Sequence, residues 1–339
     1  MRKYSIIVPV YNQEPFIEEC IQSLIKQTYP EMEILLVDDE SEDQSPLICQ
    51  QWAARDKRIK ALGQKHAGAG AARNYGIACA EGEYLLFVDG DDFLDVNYIQ
   101  KVDQVIERNA PDVVLTNHMF YYDNKTGRIT ERELFPVGEA VQQKEKNILE
   151  YIIEHGYGMP GGTSFNVYRK QFVENHECRF PDHIRWSEDL DFFLQVMVHR
   201  PVYCLLDAQY YYYRRNISSS SISSVTNEKL EDRFSILRKW HVRLEKMKSD
   251  TTWRKLQKWV DREYYSNLIF VVPIASPDLD YARLKRTVLS DRDLWMEQHP
   301  CLEKGITMIG LQNMLLFIKF KGYLLEILNR VKKNARKCK

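Results

Sequence analysis

The sequence predicts an α/β fold with a mainly parallel sheet sandwiched by helices, followed by a helical C-terminal region. Short apolar strands alternate with helical segments in the first part of the chain, a pattern typical of a parallel sheet covered on both faces. Acidic residues follow several of these strands. Beyond Thr226 the pattern is helical only. We therefore expect a sheet domain over residues 1–224, with halves 1–118 and 119–224, and a helical region over residues 225–339.

The first half is expected to contain five strands and four helices. Asn12 lies just before the first helical segment and is expected to cap it. The predicted elements are strand Ser5–Val10, helix Gln13–Gln27, strand Glu33–Val37, helix Asp43–Arg55, strand Ile59–Leu62, a helix from the small-residue run 67–72 to about Ala80, strand Tyr84–Val88, helix Asn97–Arg108 and strand Asp112–Thr116.

The second half completes the sheet and leads into helices. The polar segment 120–143 is an excursion or a hairpin, and the serine-rich run 218–224 is a linker or an ordered substrate loop. The predicted elements are strand Ser164–Tyr168, helix Glu188–His199, strands Val202–Leu206 and Gln209–Tyr213, and helices Glu228–Lys248, Thr252–Val271, Asp280–Gln298 and Gly310–Lys333.

Composition excludes several classes of protein. With 28% charged residues and a net charge of -1, the chain has no general attraction to nucleic acid. Its seven cysteines form no CxxC pair, so neither a disulfide framework nor a zinc site is expected and reduced thiols indicate the cytoplasm. We expect no signal peptide before the first strand. No apolar run reaches about 18 residues, so no membrane-spanning helix is expected.

The C-terminal end carries a separate charge pattern. Residues 330–339 contain six basic and no acidic side chains, which fits either a solvated terminus or contact with an anionic surface. The preceding segment 305–328 is rich in apolar residues. It is either a helix packed on the catalytic domain or an amphipathic helix resting on a membrane.

Three acidic sites follow in order along the chain, with Arg73 between the first two. They are Asp38-Asp39, Asp89-Gly90-Asp91-Asp92 and Glu188-Asp189. The first two directly follow predicted strands, and the carboxyl ends of parallel strands line the crevice where open α/β sheets bind ligands. Asp89 and Asp91 are suitable for Mg²⁺ or Mn²⁺ bound to diphosphate oxygens. The alternatives are a helix cap at Asp39 and a polar turn at Asp89.

The remaining candidate site residues each have a functional and a structural interpretation. Arg73 could pair with phosphate or orient a carboxylate, or be a surface charge. Asp189 could be a general base, although acidic residues also favour helix N-termini. Arg214 follows an aromatic run and could stabilise a departing diphosphate, or be an ordinary arginine of an edge strand. Among eight histidines without metal-ligand spacing, His66 is the one expected to line a site.

Taken together, these motifs resemble family 2 inverting glycosyltransferases with the GT-A fold, in particular those that build bacterial cell-envelope polysaccharides. The resemblance is dense from Ser5 to Leu94 and patchier afterwards. It rests on Ser5–Glu14, Gln27–Pro30, Glu33–Ser41, Ala71–Gly76 and Phe87–Asp92, followed by 165–169, Glu188-Asp189 and Tyr213-Arg214.

The resemblance implies a role for each matching residue. Residues 1–118 would hold a nucleotide-sugar and residues 119–224 the acceptor. In the donor half, Pro9 and Tyr11 would flank the nucleobase with Tyr11 stacked on it, Asp39 would hydrogen-bond the nucleobase, Glu14 would line the site and Arg73 would lie beside the diphosphate. Asp89 and Asp91 would form the DxD motif, with Asp91 as the direct metal ligand. Asp189 would be the catalytic base with Glu188 its neighbour, and Arg214 would neutralise the leaving diphosphate.

Two positions depart from the family pattern. His66 stands where the family often has Asn, which leaves its role open. Ser187 precedes Glu188 where Gly is frequent, and we expect a differently shaped base loop there. The helical region after Thr226 matches no family motif.

The activity that the resemblance implies is metal-dependent transfer of a sugar from a nucleotide-sugar, expected to be a UDP-sugar, to a hydroxyl of a glycan or polyprenyl-linked saccharide. Such an enzyme would be cytoplasmic, and contact with the inner face of the membrane would suit a polyprenyl acceptor. Two other classes remain open. A nucleotidyltransferase would release pyrophosphate and not need Asp189, and an inactive sugar-nucleotide binding module would have no turnover.

Overall fold

The computed structural model describes residues 1–133, 164, 166–215, 225–247, 250–267 and 279–291. The chain separates into two compact units, Met1–Ser220 and Ser221–Lys339. The boundary expected from the sequence, between residues 224 and 225, lies slightly further along the chain.

The first unit alternates strands and helices through most of its length. Its elements are β1 (Tyr4–Val10), α1 (Ile17–Ile25), β2 (Met32–Asp38), α2 (Ser45–Arg55), β3 (Ile59–Gly63), α3 (Ala69–Cys79), β4 (Tyr84–Phe87), β5 (Phe93–Leu94), α4 (Tyr98–Asn109), β6 (Val113–Asp123), β7 (Ile129–Glu133), β8 (Val167–Arg169), α5 (Lys170–Asn175), α6 (Glu188–Met197) and β9 (Tyr203–Arg215).

The strands form one mixed sheet in the order β3-β2-β1-β4-β8-β6-β9-β5, with β7 paired to β6 outside this path. The first four strands are parallel to one another. β8 is antiparallel to both β4 and β6, and β6 is parallel to β9. The parallel sheet that the sequence predicts is therefore confirmed for the N-terminal strands, and antiparallel pairs complete it.

The strand order places a crevice beside β1. The chain builds β2 and β3 on one side of β1 and then crosses to place β4 on the other side. At such a switch point the connections leave in opposite directions and open a crevice at the carboxyl ends of the strands. Asp38 lies opposite Val10 at that end of the sheet, and Phe87 pairs with Ile7. The acidic residues that follow β2 and β4 thus come to the same edge.

Burial explains why the central strands are apolar throughout. Ile6, Ile7 and Val8 of β1 are fully buried, as are Leu35 and Leu36 of β2. Helices cover both faces of a parallel sheet, so such strands do not alternate between polar and apolar residues. The continuous apolar run of each strand is a consequence of this burial.

A glycine sets how closely α3 approaches the sheet. A Cβ atom at Gly76 would overlap the Cγ2 atom of Ile7 in β1. The absence of a side chain lets the helix lie directly on the strand. This contact fixes the position of Arg73, which is one turn earlier in α3.

Two local expectations are wrong, and two short elements were not predicted. Asn12 is not a helix cap: α1 begins only at Ile17, Asn12 has a positive φ of 52°, and its side-chain oxygen accepts from the backbone N–H of Glu42. The two strands expected between Val202 and Tyr213 are the single strand β9. The two-residue strand β5 and the short helix α5 were not predicted, because such lengths have no periodicity.

The polar segment after Phe120 begins with a hairpin, one of the two structures expected there. β6 continues to Asp123 and pairs antiparallel with β7, with Tyr122 opposite Ile129. Residues 134–143 of that segment lie outside the described residues, as does the serine-rich run 218–224.

The second unit is helical in its described residues. Its helices are α7 (Asn227–Glu245), α8 (Thr251–Ser266) and α9 (Tyr281–Ser290). The side chains of Thr226, Asp250 and Asp280 cap their N-termini. Within the described residues, none of the helices combines the length and the apolar character needed to cross a membrane. The predicted helix Gly310–Lys333 and the basic tail lie outside the described residues.

Candidate active site

Arg73 joins two of the three acidic sites. Its guanidinium donates to Asp89 Oδ1 and to Glu188 Oε1, each at 2.8 Å, and lies 5.3 Å from the ring centre of Phe180. The side chain is only 6% exposed. The alternative of an ordinary surface charge is therefore wrong. A buried arginine between two carboxylates fixes the end of β4 against the start of α6.

Asp89 is held from two sides. Besides the bond from Arg73, its Oδ2 accepts from the hydroxyl of Ser164 at 3.0 Å. The carboxylate is therefore oriented before any ligand arrives, and an oxygen lone pair on each side stays available for another partner.

Asp92 and Asp91 differ although they are neighbours. Asp92 is 1% exposed, and its carboxyl group binds the hydroxyl of Tyr211 at 2.7 Å and the backbone N–H of Arg214 at 2.8 Å. Burial, together with the carboxylates of Asp91 and Asp89, raises the pKa of Asp92 well above its usual value. Burial and the nearby Asp89 also raise the pKa of Asp91 to about 6. Asp92 is thus built into the turn.

Asp91 lacks a direct ion-pair partner among the described residues, although Arg214 and Arg73 act on its charge from a distance. Within the described residues, no lysine, arginine or histidine forms an ion pair with Asp91. The same residues contain no group of three or more His, Cys, Asp or Glu side chains that could hold a metal by themselves. Asp89 and Asp91 offer hard oxygen ligands, so they fit a divalent cation that takes its remaining ligands from a diphosphate and water.

Asp39 organises the loop between β3 and α3. Its carboxylate is 2% exposed and accepts bonds from Gln64 Nε2 and from the backbone N–H groups of Ala67 and Gly68, and His66 Nδ1 lies 3.0 Å from its Oδ2. A carboxylate has about four acceptor sites, so the loop occupies three of them and the imidazole lies beside the fourth. A base would have to replace the side chain of Gln64 or His66 to reach Asp39. Base recognition by Asp39 stays a prediction.

Tyr11 and His66 form a stacked pair at the edge of the sheet. Their ring centres are 4.5 Å apart with 29° between the planes, and both residues are largely exposed. His66 Nδ1 lies 3.2 Å from the carbonyl oxygen of Asp39 and 3.0 Å from its Oδ2. Both are acceptors, so Nδ1 carries the hydrogen. His66 therefore fixes Tyr11 in place and leaves its other face open to a planar ligand.

Pro9 and Glu14 are the other two residues of the first strand motif that were predicted to line the site. Pro9 is in β1 opposite Val37 of β2, so it reaches the same edge as Asp39. Glu14 is exposed, and its side chain accepts from the backbone N–H of Gln44, the residue that precedes α2. Glu14 thus stabilises the start of that helix, and its predicted place in a nucleotide site stays untested.

The third acidic site opens α6. Ser187 has a φ of +76° and is buried, so it adopts the left-handed conformation that glycine favours. The backbone at this position thus has the conformation that a glycine would have, although serine occupies it. Glu188 is held by Arg73, whereas Asp189 Oδ1 accepts from the N–H of Leu190 at 2.7 Å. Asp189 lies beside the linked group, and its predicted role as a base stays a prediction.

Arg214 lies in the end of β9, behind the turn 89–92. Its guanidinium donates to the carbonyl oxygen of Asp91, to Asn124 and to Glu19. Its residue is 4% exposed. The alternative of an ordinary surface arginine on an edge strand is wrong.

Four residues of this site were not predicted to belong to it. They are Ser164, Gln64, Glu19 and Tyr211, which bind Asp89, Asp39, Arg214 and Asp92 respectively. Tyr211 lies in the aromatic run that the sequence analysis noted. The other three have no local sequence signal, because each is defined only by a partner that is distant along the chain.

Known proteins share both the sequence and the fold of this chain. The family model described as "Glycosyl transferase family 2" matches residues 5–175. "Uncharacterized glycosyltransferase EpsJ" of Bacillus subtilis is 36% identical over 221 residues, which cover 63% of this chain and 62% of that protein. "Poly(ribitol-phosphate) beta-N-acetylglucosaminyltransferase TarS" of Staphylococcus aureus strain Mu50 is 27% identical over 66% of this chain and 37% of its own length.

A solved structure shows the same fold. The crystal structure of S. aureus TarS 1-349 in complex with UDP-GlcNAc has a TM-score of 0.65 and 24% identity, and covers 92% of this chain and 89% of that one. The predicted GT-A fold class is confirmed by this likeness. The chain spans about three fifths of the length of the curated relatives matched first. The family match includes Asp39, Arg73, Asp89 and Asp91 but ends before Glu188.

Proposed function

Since the chain belongs to glycosyl transferase family 2, we propose that it is an inverting glycosyltransferase. It moves a sugar from a nucleotide-sugar, a UDP-sugar, to a hydroxyl of a glycan or polyprenyl-linked saccharide in surface polysaccharide synthesis. The observation that carries this proposal is the buried Arg73, which ties Asp89 of the acidic turn to Glu188 beside Asp189. One side chain thus joins the proposed donor-binding turn to the residue next to the candidate base.

The donor end of the site is the edge beside β1. The nucleobase stacks on the open face of Tyr11, and the diphosphate lies near Arg73 and Asp89. The solved structure with a related fold was obtained in complex with UDP-GlcNAc, which supports a uridine nucleotide here. A divalent cation, Mn²⁺ or Mg²⁺, held by Asp91 and Asp89 would stabilise the charge of the departing diphosphate.

The acceptor end is the start of α6. Asp189 takes the proton of the acceptor hydroxyl, and the oxygen attacks the anomeric carbon as the bond to the diphosphate breaks. The proton ends on Asp189 and the electron pair on the nucleoside diphosphate. Because the oxygen attacks the face opposite the departing diphosphate, the configuration of the anomeric carbon inverts. Glu188 is engaged with Arg73, and Asp189 is the base that the family resemblance implies.

A cytoplasmic location with peripheral membrane contact also belongs to this proposal. Segment 305–328 and the basic tail would bring the enzyme to a lipid-linked acceptor. Binding of the full-length chain to vesicles that contain anionic lipid is the expected result, and a failure to bind would remove the membrane part of the proposal alone.

The proposed function is tested by a ligand panel. Thermal unfolding is measured with nucleoside diphosphates, nucleoside triphosphates and nucleotide-sugars, each with and without Mn²⁺, because a ligand that binds only the folded state raises its stability. We expect a Mn²⁺-dependent rise in Tm with UDP and with a UDP-sugar. Stabilisation by triphosphates alone, with release of pyrophosphate, would instead indicate a nucleotidyltransferase.

A further inference from the structure

Arg214 is enclosed by three aromatic rings. Its guanidinium lies 5.1 Å from the ring centre of Phe16, 5.3 Å from that of Phe93 and 5.0 Å from that of Tyr122. Only 3% of its side chain is exposed. The rings hold the guanidinium through cation–π contacts and exclude solvent from it.

The guanidinium is also engaged by three separate acceptors. Nε donates to the carbonyl oxygen of Asp91 at 2.7 Å, one terminal nitrogen to Asn124 Oδ1 at 2.8 Å and the other to Glu19 Oε2 at 2.6 Å. These acceptors lie in the acidic turn, in the β6–β7 hairpin and in α1. One side chain therefore joins three segments, and Glu19 balances its charge.

Two of its bonds reach the same turn. Besides the bond to the Asp91 carbonyl, the backbone N–H of Arg214 donates to the side chain of Asp92 at 2.8 Å. The turn is thus held on both sides of the peptide bond between Asp91 and Asp92. With that peptide fixed, the direction of the Asp91 carboxylate depends on its own side-chain torsions alone.

We propose that Arg214 is a positioning residue that orients Asp91 for a divalent cation, and that it does not contact the diphosphate. The proposal rests on the proposed function, since it assigns the cation to the donor site of that reaction. Groups that hold a metal ligand from behind change metal affinity by about 10- to 100-fold when they are removed. Arg214 acts on Asp91 in a similar way, but through the backbone carbonyl oxygen of that residue.

The test compares UDP binding with and without Mn²⁺ by calorimetry, for the full-length chain. The variants are Arg214→Lys and Arg214→Met. The matched control is Arg215→Met, because Arg215 is the next residue, is exposed and lies over the ring of Tyr121. Lysine keeps the positive charge but cannot reach three acceptors in the planar arrangement of a guanidinium.

We expect both Arg214 variants to lose about tenfold or more of the Mn²⁺-dependent gain in UDP affinity. Metal-free UDP affinity should change by less than about twofold, and Arg215→Met should behave like the wild type. A diphosphate contact predicts the opposite: Arg214→Lys would bind UDP normally with Mn²⁺, and Arg214→Met would weaken metal-free UDP but not UMP. That result would overturn the proposal.

A second variant covers the case in which Arg214 substitutions unfold the chain. Glu19→Gln removes the charge partner of Arg214 at a side chain that is 54% exposed. It should lower the Mn²⁺-dependent gain in UDP affinity by about threefold, and an unchanged gain would overturn the proposal. If the wild type binds no UDP, the proposed function fails, and a titration with Mn²⁺ alone, followed by electron paramagnetic resonance, still reports whether Arg214 controls the cation site.

Discussion

The two ends of the parallel strands carry acidic clusters that differ in how far the protein itself balances their charge. At the amino ends, Glu33 of β2 is buried and accepts from the hydroxyl of Ser5, the backbone N–H of Glu81 and the ammonium group of Lys60. Burial alone would raise the pKa of Glu33, but these partners outweigh it and lower the pKa. Every acceptor of this carboxylate is matched by a donor of the protein.

At the carboxyl ends of the strands, burial and like charge outweigh the stabilising partners of the carboxylate. Burial and the carboxylate of Asp89 raise the pKa of Asp91 to about 6, and within the part of the chain that the structure describes no cation pairs with it. The comparison shows how a structural cluster differs from a candidate ligand site. The first is complete within the protein, whereas the second keeps a negative charge that a bound cation would balance.

The largest expected effect is a loss of sugar transfer without a loss of stability, at a residue near the carboxyl ends of the strands. Asp189→Asn should lower the rate of sugar transfer by about 10² to 10⁴-fold, because the amide cannot accept the acceptor's proton. Stability and UDP affinity should stay as in the wild type. Transfer is measured with a UDP-sugar and an acceptor, and Asp182→Asn, an exposed acid before the same helix, is the control. Full transfer activity of Asp189→Asn would remove the base assignment.

The next largest effect is expected from a substitution in the Glu33 cluster at the amino ends of the strands. Glu33→Gln should lower the free energy of unfolding by about 1 to 2 kcal/mol, since it removes charge-assisted bonds inside the protein, and the exposure of the lysines limits the loss. Sugar transfer should not change, because the residue lies at the far end of the strands. Urea unfolding gives the stability difference.

The stability difference between the wild type and Glu33→Gln should depend on pH. The folded pKa of Glu33 is lowered, so its stabilisation is complete above the unfolded value of about 4.3 and is lost as the pH falls through the folded value. The difference between wild type and Glu33→Gln should therefore be constant near neutral pH and shrink below about pH 4. A difference that grows on acidification would contradict this account.

The smallest effect has the opposite sign. Asp91→Asn removes a negative charge that burial and Asp89 disfavour, so the free energy of unfolding at neutral pH should rise by about 1 kcal/mol. The Mn²⁺-dependent rise of Tm with UDP should disappear in the same variant. A gain in stability with loss of ligand response is typical of a site that is strained for function. A destabilised variant would show that Asp91 is structurally matched after all.

The sequence predicts those parts of the fold that depend on local pattern. β1, β2 and β4 are apolar runs, and the acids that follow β2 and β4 reach one edge because parallel strands end together. Local sequence signals fail where conformation depends on a distant partner. Asn12 is a residue type that often caps helices, but its side-chain oxygen accepts from the backbone N–H of Glu42.

The site follows the same rule. Asp39, Arg73 and Asp89 are identified by motif, whereas the bond of Ser164 to Asp89 and that of Gln64 to Asp39 have no motif. Ser187 departs from the family pattern, and its backbone lies in the left-handed region that glycine favours. The expected difference in the shape of that loop stays a prediction.

The ion pairs of Arg73 also bear on how the molecule assembles. Arg73 meets Asp89 across 16 positions of the chain but meets Glu188 across 115, and Arg214 meets Glu19 across 195. Contacts between distant segments form late, because a long loop must close before they are made. A chain still emerging from the ribosome can build its parallel strands well before these pairs exist. The bonds that join the acidic turn to Glu188 and Arg214 to Glu19 can therefore form only after synthesis has passed α6 and β9, respectively.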